Sequence, residues 1–133
     1  MPYQVAAIPI RRMAPGKVEV LLVTSRETRR WVVPKGWPWR KVADNDSAAG
    51  EAWEEAGARG LVSPDSLGSF TYDKRHRGQL KTLRVCVYLL EVTEQADTWP
   101  EADERQRAWF SVAEAAALVA EPELKTIILS LAT

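Results

Sequence analysis

Glu51, Glu54 and Glu55 stand three and four residues apart in the stretch SAAGEAWEEAGARG, residues 47–60. At helical periodicity they fall on one side, while Ala49, Ala52, Trp53 and Ala56 fall on the other. Like charges at this spacing repel by roughly 0.2–0.5 kcal/mol per pair. Either of two circumstances would offset that repulsion. One is exposure to solvent. The other is a divalent cation, because Mg2+ takes carboxylate oxygens and binds substrate phosphates beside them. Gly57 follows the last apolar position, where a left-handed helix C-cap is expected.

The flanking chain must position that helix. Residues 3–12, YQVAAIPIRR, predict a strand, with Pro9 marking an edge or a bulge. A turn at Ala14, Pro15 and Gly16 leads to a second, mostly buried strand over 18–24, antiparallel to the first. Trp31, Val32 and Val33 form a short strand stopped by Pro34. Gly36 permits backbone conformations that a side chain would forbid. Residues 37–46 predict a loop, with Asp44 or Asp46 capping a helix over about 45–56. Downstream come a strand near Gly68–Tyr72, a basic loop KRHRGQ, and the longest strand pattern, 81–92, expected at the centre of the sheet. An acidic loop over 94–105 precedes a short strand at 107–110. Ser111 and Glu114 form a capping box for a helix over 112–120, and Pro122 suits the first turn of a last helix reaching about Leu131. Strands around one helix, with helical segments closing the chain, predict an α/β fold with a mixed sheet.

A chain of 133 residues, 46% apolar and 27% charged, fits one soluble domain over 1–133. Its formal net charge is zero, which argues against a nucleic-acid partner. Charge is nevertheless segregated. Residues 26–41 hold six Lys/Arg and one Glu, and 74–84 hold five Lys/Arg and no acid, whereas 91–104 hold six acids and no base. The longest apolar run, Val85–Leu90, is far short of a membrane span. The chain opens without a basic segment and apolar run, so no signal peptide is expected. Cys86 is the sole cysteine, in a strand pattern, and reads as a small core residue in a reducing compartment. A cytoplasmic protein is the expectation. Of six tryptophans, Trp31, Trp53 and Trp109 read as core. Trp37 and Trp39 alternate with Pro38 in the loop after Gly36, where they either stack on a nucleobase or pack on one another.

Gly36, Glu51, Ala52, Glu54, Glu55, Gly57 and Ala58 are in register with the Nudix box: Gly, five residues, Glu, seven residues, Arg-Glu, apolar, any, Glu-Glu, any, Gly, apolar. The chain thereby resembles the Nudix hydrolases over about residues 3–131. The stretches LLVTSRETRRWVVPKGW and DTWPEADERQRAWFSVAEA make it similar to the branch acting on diphosphoinositol polyphosphates and diadenosine polyphosphates, its bacterial members in particular. The resemblance implies a mixed sheet packed between helices, an α/β/α sandwich. It also implies hydrolysis of pyrophosphate links in nucleoside-diphosphate-X compounds, with Mg2+ as cofactor and Mn2+ able to substitute. Glu51, Glu54 and Glu55 would be catalytic residues and metal ligands, helped by backbone at Gly36. Arg26, Lys35, Arg105 and Arg107, with Lys74, Arg75 and Arg77 of the basic loop, would bind a small polyphosphate substrate. No membrane partner is implied, and either a monomer or a homodimer is compatible.

Two positions depart from the box. Val42 stands where it has its first Glu, and Gly50 where it has Arg. In the family that Arg orients the helix carboxylates, and Gly inside a helix costs roughly 1 kcal/mol relative to Ala. Two readings follow: a working pyrophosphohydrolase, or a weakened relative that binds phosphorylated ligands or a protein partner. On either, Gly50→Arg is expected to raise stability, and on the first to raise activity.

Overall fold

The computed structural model describes residues 2–132, apart from the side chain of His76. Its frame is an eight-stranded mixed sheet with the path β3-β2-β1-β7-β5. Here β1 is Tyr3–Ala14, β2 Lys17–Thr24, β3 Trp31–Val32, β5 Ala58–Val62 and β7 Gln79–Gln95. Three strands lie off that path: β4 (Lys35–Gly36) pairs with β1, β6 (Gly68–His76) with β7, and β8 (Arg107–Ser111) with β2. Strands β1 and β7 run parallel, with Val5 opposite Cys86 and Ile8 opposite Leu89. The remaining pairs are antiparallel.

Strand periodicity sends alternate residues of β1 to opposite faces, and both faces are covered. Ala6, Ile8 and Ile10 join Val20, Leu22, Val85 and Val87 under helices α2 (Val112–Leu118) and α3 (Pro122–Leu129). Val5 and Ala7 face the other way, against Ala48 and Ala52 of helix α1 (Asp44–Ala56). Burial on both faces is why residues 5–10 read as one apolar run with no polar alternation. The result is the expected α/β/α sandwich. No helix among the described residues is long and apolar enough to cross a membrane.

Several local expectations change. Pro9 is not on an edge: it lies inside β1, opposite Leu90 of β7. It falls where β1 changes its other partner, from β4 at Val5 and Ala6 to β2 from Ile10 onward. A residue without an N–H is tolerated at such a gap in the ladder. The N-cap of α1 is Ala43, not an aspartate. Asp44 instead accepts the Tyr3 hydroxyl at 2.9 Å, tying the start of α1 to β1. Strand β5 was not expected; its Arg59 and Leu61 are exposed and mask the strand pattern. The basic loop is largely strand, because β6 continues to His76 and the turn is only Arg77 and Gly78. Both turn residues have positive φ, 51° and 76°, as a two-residue hairpin turn demands. Helices α2 and α3 end at Leu118 and Leu129, earlier than expected, while the Ser111–Glu114 capping box is present in both directions.

The core residues also shift. Cys86 lies in β7 but is half-buried, outside the packed clusters. Trp31 and Trp109 are half-buried at the cluster edges, Trp31 meeting Phe110 edge-on at 4.9 Å. Trp53 is not core: it lies beneath the Arg59 guanidinium, 3.8 Å from its ring centre. The buried face of α1 is Ser47, Ala48, Ala52, Glu55 and Ala56. Its small side chains let the helix lie close to the sheet, which leaves no room for an indole and turns Trp53 outward.

Candidate active site at the end of helix α1

The C-terminus of α1 is fixed by the loop over 96–106. Gly57 takes φ 64°, and its N–H donates to the Trp53 carbonyl at 3.0 Å. The freed carbonyls find partners across the chain. Glu101 N–H donates to Glu54 O at 3.0 Å, Trp99 Nε1 to Glu55 O at 3.0 Å, and Arg107 Nη1 to Ala56 O at 2.8 Å. Arg107 also donates to Ala96 O at 2.7 Å and covers the Trp99 ring at 3.9 Å. The structure therefore does not bring Arg107 to a substrate cavity. A cation at a helix C-terminus meets the negative end of the helix dipole, and both terminal nitrogens of Arg107 already donate to carbonyls.

The three glutamates are not equivalent. Glu55 was expected on the polar face, but it is buried, directed toward β4 and the loop. It accepts the Lys35 backbone N–H at 3.3 Å and pairs with Arg105 at 3.4 Å. Arg105, itself buried, is held by Glu101 at 2.7 Å and by the Thr24 carbonyl at 3.0 Å. Burial pushes the Glu55 carboxyl up to about 7, with Arg105 pulling down and Glu51 pushing further up. Glu51 is half-buried, and burial raises its carboxyl above the ordinary range too. It accepts the Trp39 indole N–H at 2.8 Å. Glu54 is half-buried, and among the described residues its carboxylate makes no hydrogen bond or ion pair.

Gly36 acts through space and not through an unusual backbone. A Cβ there would stand 2.5 Å from Glu51 Cδ, so the missing side chain is where the carboxylate lies. No three His, Cys, Asp or Glu side chains among the described residues converge as a ready-made cage. The donor set still fits a divalent cation. Glu51 and Glu55 are carboxylates partly removed from water and mutually unfavourable when both are charged, a conflict that a bound cation relieves. Mg2+ in particular needs few carboxylates, completing its shell with water and phosphate oxygens.

Glu55 forms part of the wall of an open cavity of about 510 Å³. Six of the lining residues are basic: Arg26, Arg30, Lys35, Lys74, Arg75 and Arg105; the acids are Glu27, Glu55 and Asp73. The Lys35 ammonium lies 4.9 Å from the Tyr72 ring centre, and burial lowers its pKa. Arg26 is paired with Glu104 at 3.3 Å. Arg30 is held by Glu121 at 3.2 Å, and its buried Nη1 has no partner among the described residues. Tyr72 donates to Gln4 at 2.7 Å, and burial pushes its phenol up to about 12. Arg77, at the hairpin turn, does not line the cavity. Arg30 and Tyr72 escaped the sequence reading. Arg30 stood in the basic run but matched no motif, and Tyr72 read only as a strand residue.

The NUDIX domain family matches this chain over residues 2–131. The chain belongs to the Nudix family. It is 35% identical over 115 residues to Nudix hydrolase 16, mitochondrial, of Arabidopsis thaliana, covering 83% of this chain and 63% of that protein. It is 37% identical over 102 residues to the human diphosphoinositol polyphosphate phosphohydrolase 3-beta, covering 73% and 57%. The chain thus spans less than two thirds of the length of these relatives. In fold it is similar to the C. elegans Ap4A hydrolase binary complex, with a TM-score of 0.68 and 19% identity over 97% of this chain and 93% of that one. Nudix hydrolases generally use divalent metal ions, usually Mg2+.

Proposed function

We propose that this Nudix domain, spanning 1–133, hydrolyses pyrophosphate links in small, highly phosphorylated molecules. The observation that carries the reading is the six-cation cavity, one wall of which is the Glu55 carboxylate. Glu51, Glu54 and Glu55, with backbone at Gly36, hold Mg2+, or Mn2+ in its place. When bound, such a cation supplies positive charge to phosphate oxygens on which negative charge gathers during in-line attack by water. The chain's own side chains do the rest. Lys35, Lys74 and Arg75 bind the remaining phosphates from β4 and the β6–β7 hairpin, and Arg26 and Arg30 from the segment between β2 and β3. Arg105 holds Glu55 in place. The lone Cys86, which cannot form an internal disulfide, supports a reducing, cytoplasmic setting.

The relatives' names point to diphosphoinositol polyphosphates or diadenosine polyphosphates as the substrate class. One observation favours the dinucleotide. Trp37, 48% exposed, walls a recess of about 170 Å³ with Pro2 and Leu83, and the recess shares Lys74 with the main cavity. An indole beside a polyphosphate site is a platform for a nucleobase. The test is turnover of both substrates in Mg2+ and in Mn2+, with Trp37→Ala alongside. Hydrolysis is expected, with Trp37→Ala raising KM for the dinucleotide alone. Tight binding of both compounds without turnover in either metal would overturn the hydrolase in favour of a binding module.

A further inference from the structure

The missing arginine of the box leaves a volume at Gly50, and the structure shows what fills it. A Cβ at Gly50 would stand 2.5 Å from Trp39 Cη2 and 2.6 Å from Cζ2. The indole therefore occupies the space that any side chain at position 50 would claim. Its Nε1 donates to Glu51 Oε2 at 2.8 Å. The same carboxylate lies against Gly36 on the β4 side, so two side-chain-free positions and one indole define where it sits. The ring is anchored in turn. Trp39 N–H donates to Oγ of Ser47, a fully buried residue of α1, at 2.9 Å, and the Trp39 carbonyl accepts Val42 N–H at 3.1 Å. The backbone of residue 42 thus helps close the turn that presents the indole, whichever side chain it carries.

Resting on the divalent-cation reading above, we infer that Trp39 is a positioning residue for Glu51, doing by a neutral indole N–H what an arginine does in the box, and that Gly50 is the vacancy this arrangement requires. A single neutral donor uses one acceptor site of one oxygen and leaves the rest of the carboxylate free. It brings no positive charge to compete with a metal ion, as a guanidinium would. An indole packed on helix backbone has few rotamers to lose, so it holds the carboxylate rigidly. The expected benefit of restoring arginine is thereby reversed. A side chain at 50 displaces the ring and breaks the bond to Glu51. The Trp39 ring lies on Gly50 and its N–H is engaged, while 39% of the residue stays exposed.

The test measures Mg2+ binding to substrate-free protein by calorimetry, with kcat and KM on the best pyrophosphate substrate. Trp39→Phe keeps an aromatic ring and deletes the N–H. It is expected to weaken Mg2+ binding and lower kcat by about tenfold or more, with substrate KM little changed and the melting temperature in chelator preserved. In a Glu51→Gln background, Trp39→Phe should have no further effect on Mg2+ binding. Gly50→Arg alone should weaken binding. Combined with Trp39→Ala, it should recover affinity relative to Trp39→Ala, because the guanidinium then has room. Without metal, the Trp39 indole resonance in a 15N spectrum should shift on Glu51→Gln. The inference is overturned if Trp39→Phe binds Mg2+ as the wild type does, if it raises only substrate KM, or if Gly50→Arg binds more tightly with Trp39 in place. A wild-type protein that takes up neither Mg2+ nor Mn2+ overturns the underlying cation reading, and shows this before any variant is made.

Discussion

Glu55 concentrates the conflict at this site: a buried carboxylate with a cation on one side and a second carboxylate on the other. Its carboxyl is raised from 4.5 to about 7, so between those values the folded chain binds a proton that the unfolded chain has released. Stability from this group is therefore greatest on the acid side and declines as pH rises through that window. In chelator, the melting temperature of the wild type should fall from about pH 5 to about pH 7.5, and Glu55→Gln should flatten that slope. Adding Mg2+ should restore stability to the wild type at neutral pH and do less for the variant. Turnover by Glu55→Gln should drop by at least about 100-fold. A wild-type melting temperature that is flat in chelator, or an unchanged rate in the variant, contradicts the placement of this carboxylate.

At the scale of elements, the β6–β7 hairpin divides its cations by position. Lys74 and Arg75 line the cavity, whereas Arg77 sits at the turn. Reversing Lys74 and Arg75 together should raise KM for a polyphosphate by about tenfold or more, since each removes a charge-assisted contact. Arg77→Glu should move KM by less than about twofold. Equal effects from the two changes would mean that the hairpin acts as a diffuse field and not as a wall of the site. The end of α1 divides its roles in a similar way. Arg107 bonds two backbone carbonyls, one at the end of α1 and one in the loop after β7, which places it in holding the site and not in binding substrate.

Over the whole molecule, zero net charge hides a strong local contrast. Six basic residues line one cavity, and six of the 18 acids lie in residues 91–104, the end of β7 and the loop after it. With a Debye length of about 10 Å at 0.1 M salt, such a cavity steers anions only at close range. Raising salt from about 0.05 to about 0.5 M should lower kcat/KM for polyphosphates and leave kcat nearly constant, because encounter is screened and the formed complex is not. A proportional fall in kcat would show that the cations act on the chemical step. The sandwich makes this contrast possible. Strand β1 pairs with both β4 and β7, and β4, the hairpin and the end of α1 each contribute residues to the one cavity.

Consecutive residues were enough to determine the spacing of Glu51, Glu54 and Glu55, the Gly57 C-cap, the Ser111–Glu114 capping box and the strands of the mixed sheet other than β4 and β5. Each of these depends on neighbours a few positions away, where helical or strand periodicity fixes the geometry. What depended on distant partners was not legible. Periodicity gave α1 an apolar stripe that included Trp53 and excluded Glu55. The sheet chose the small side chains for its contact face, and Arg105 and the Lys35 N–H made burial of Glu55 tolerable. Arg107 looked like a phosphate ligand until a helix terminus claimed it. Gly50 looked like a loss, because its meaning lies in an indole that the loop folds back onto the helix. Local sequence sets which groups a helix carries. Which of them are buried, paired or free is decided by long-range packing, where each side chain competes for volume and hydrogen-bond partners that no short stretch of sequence contains.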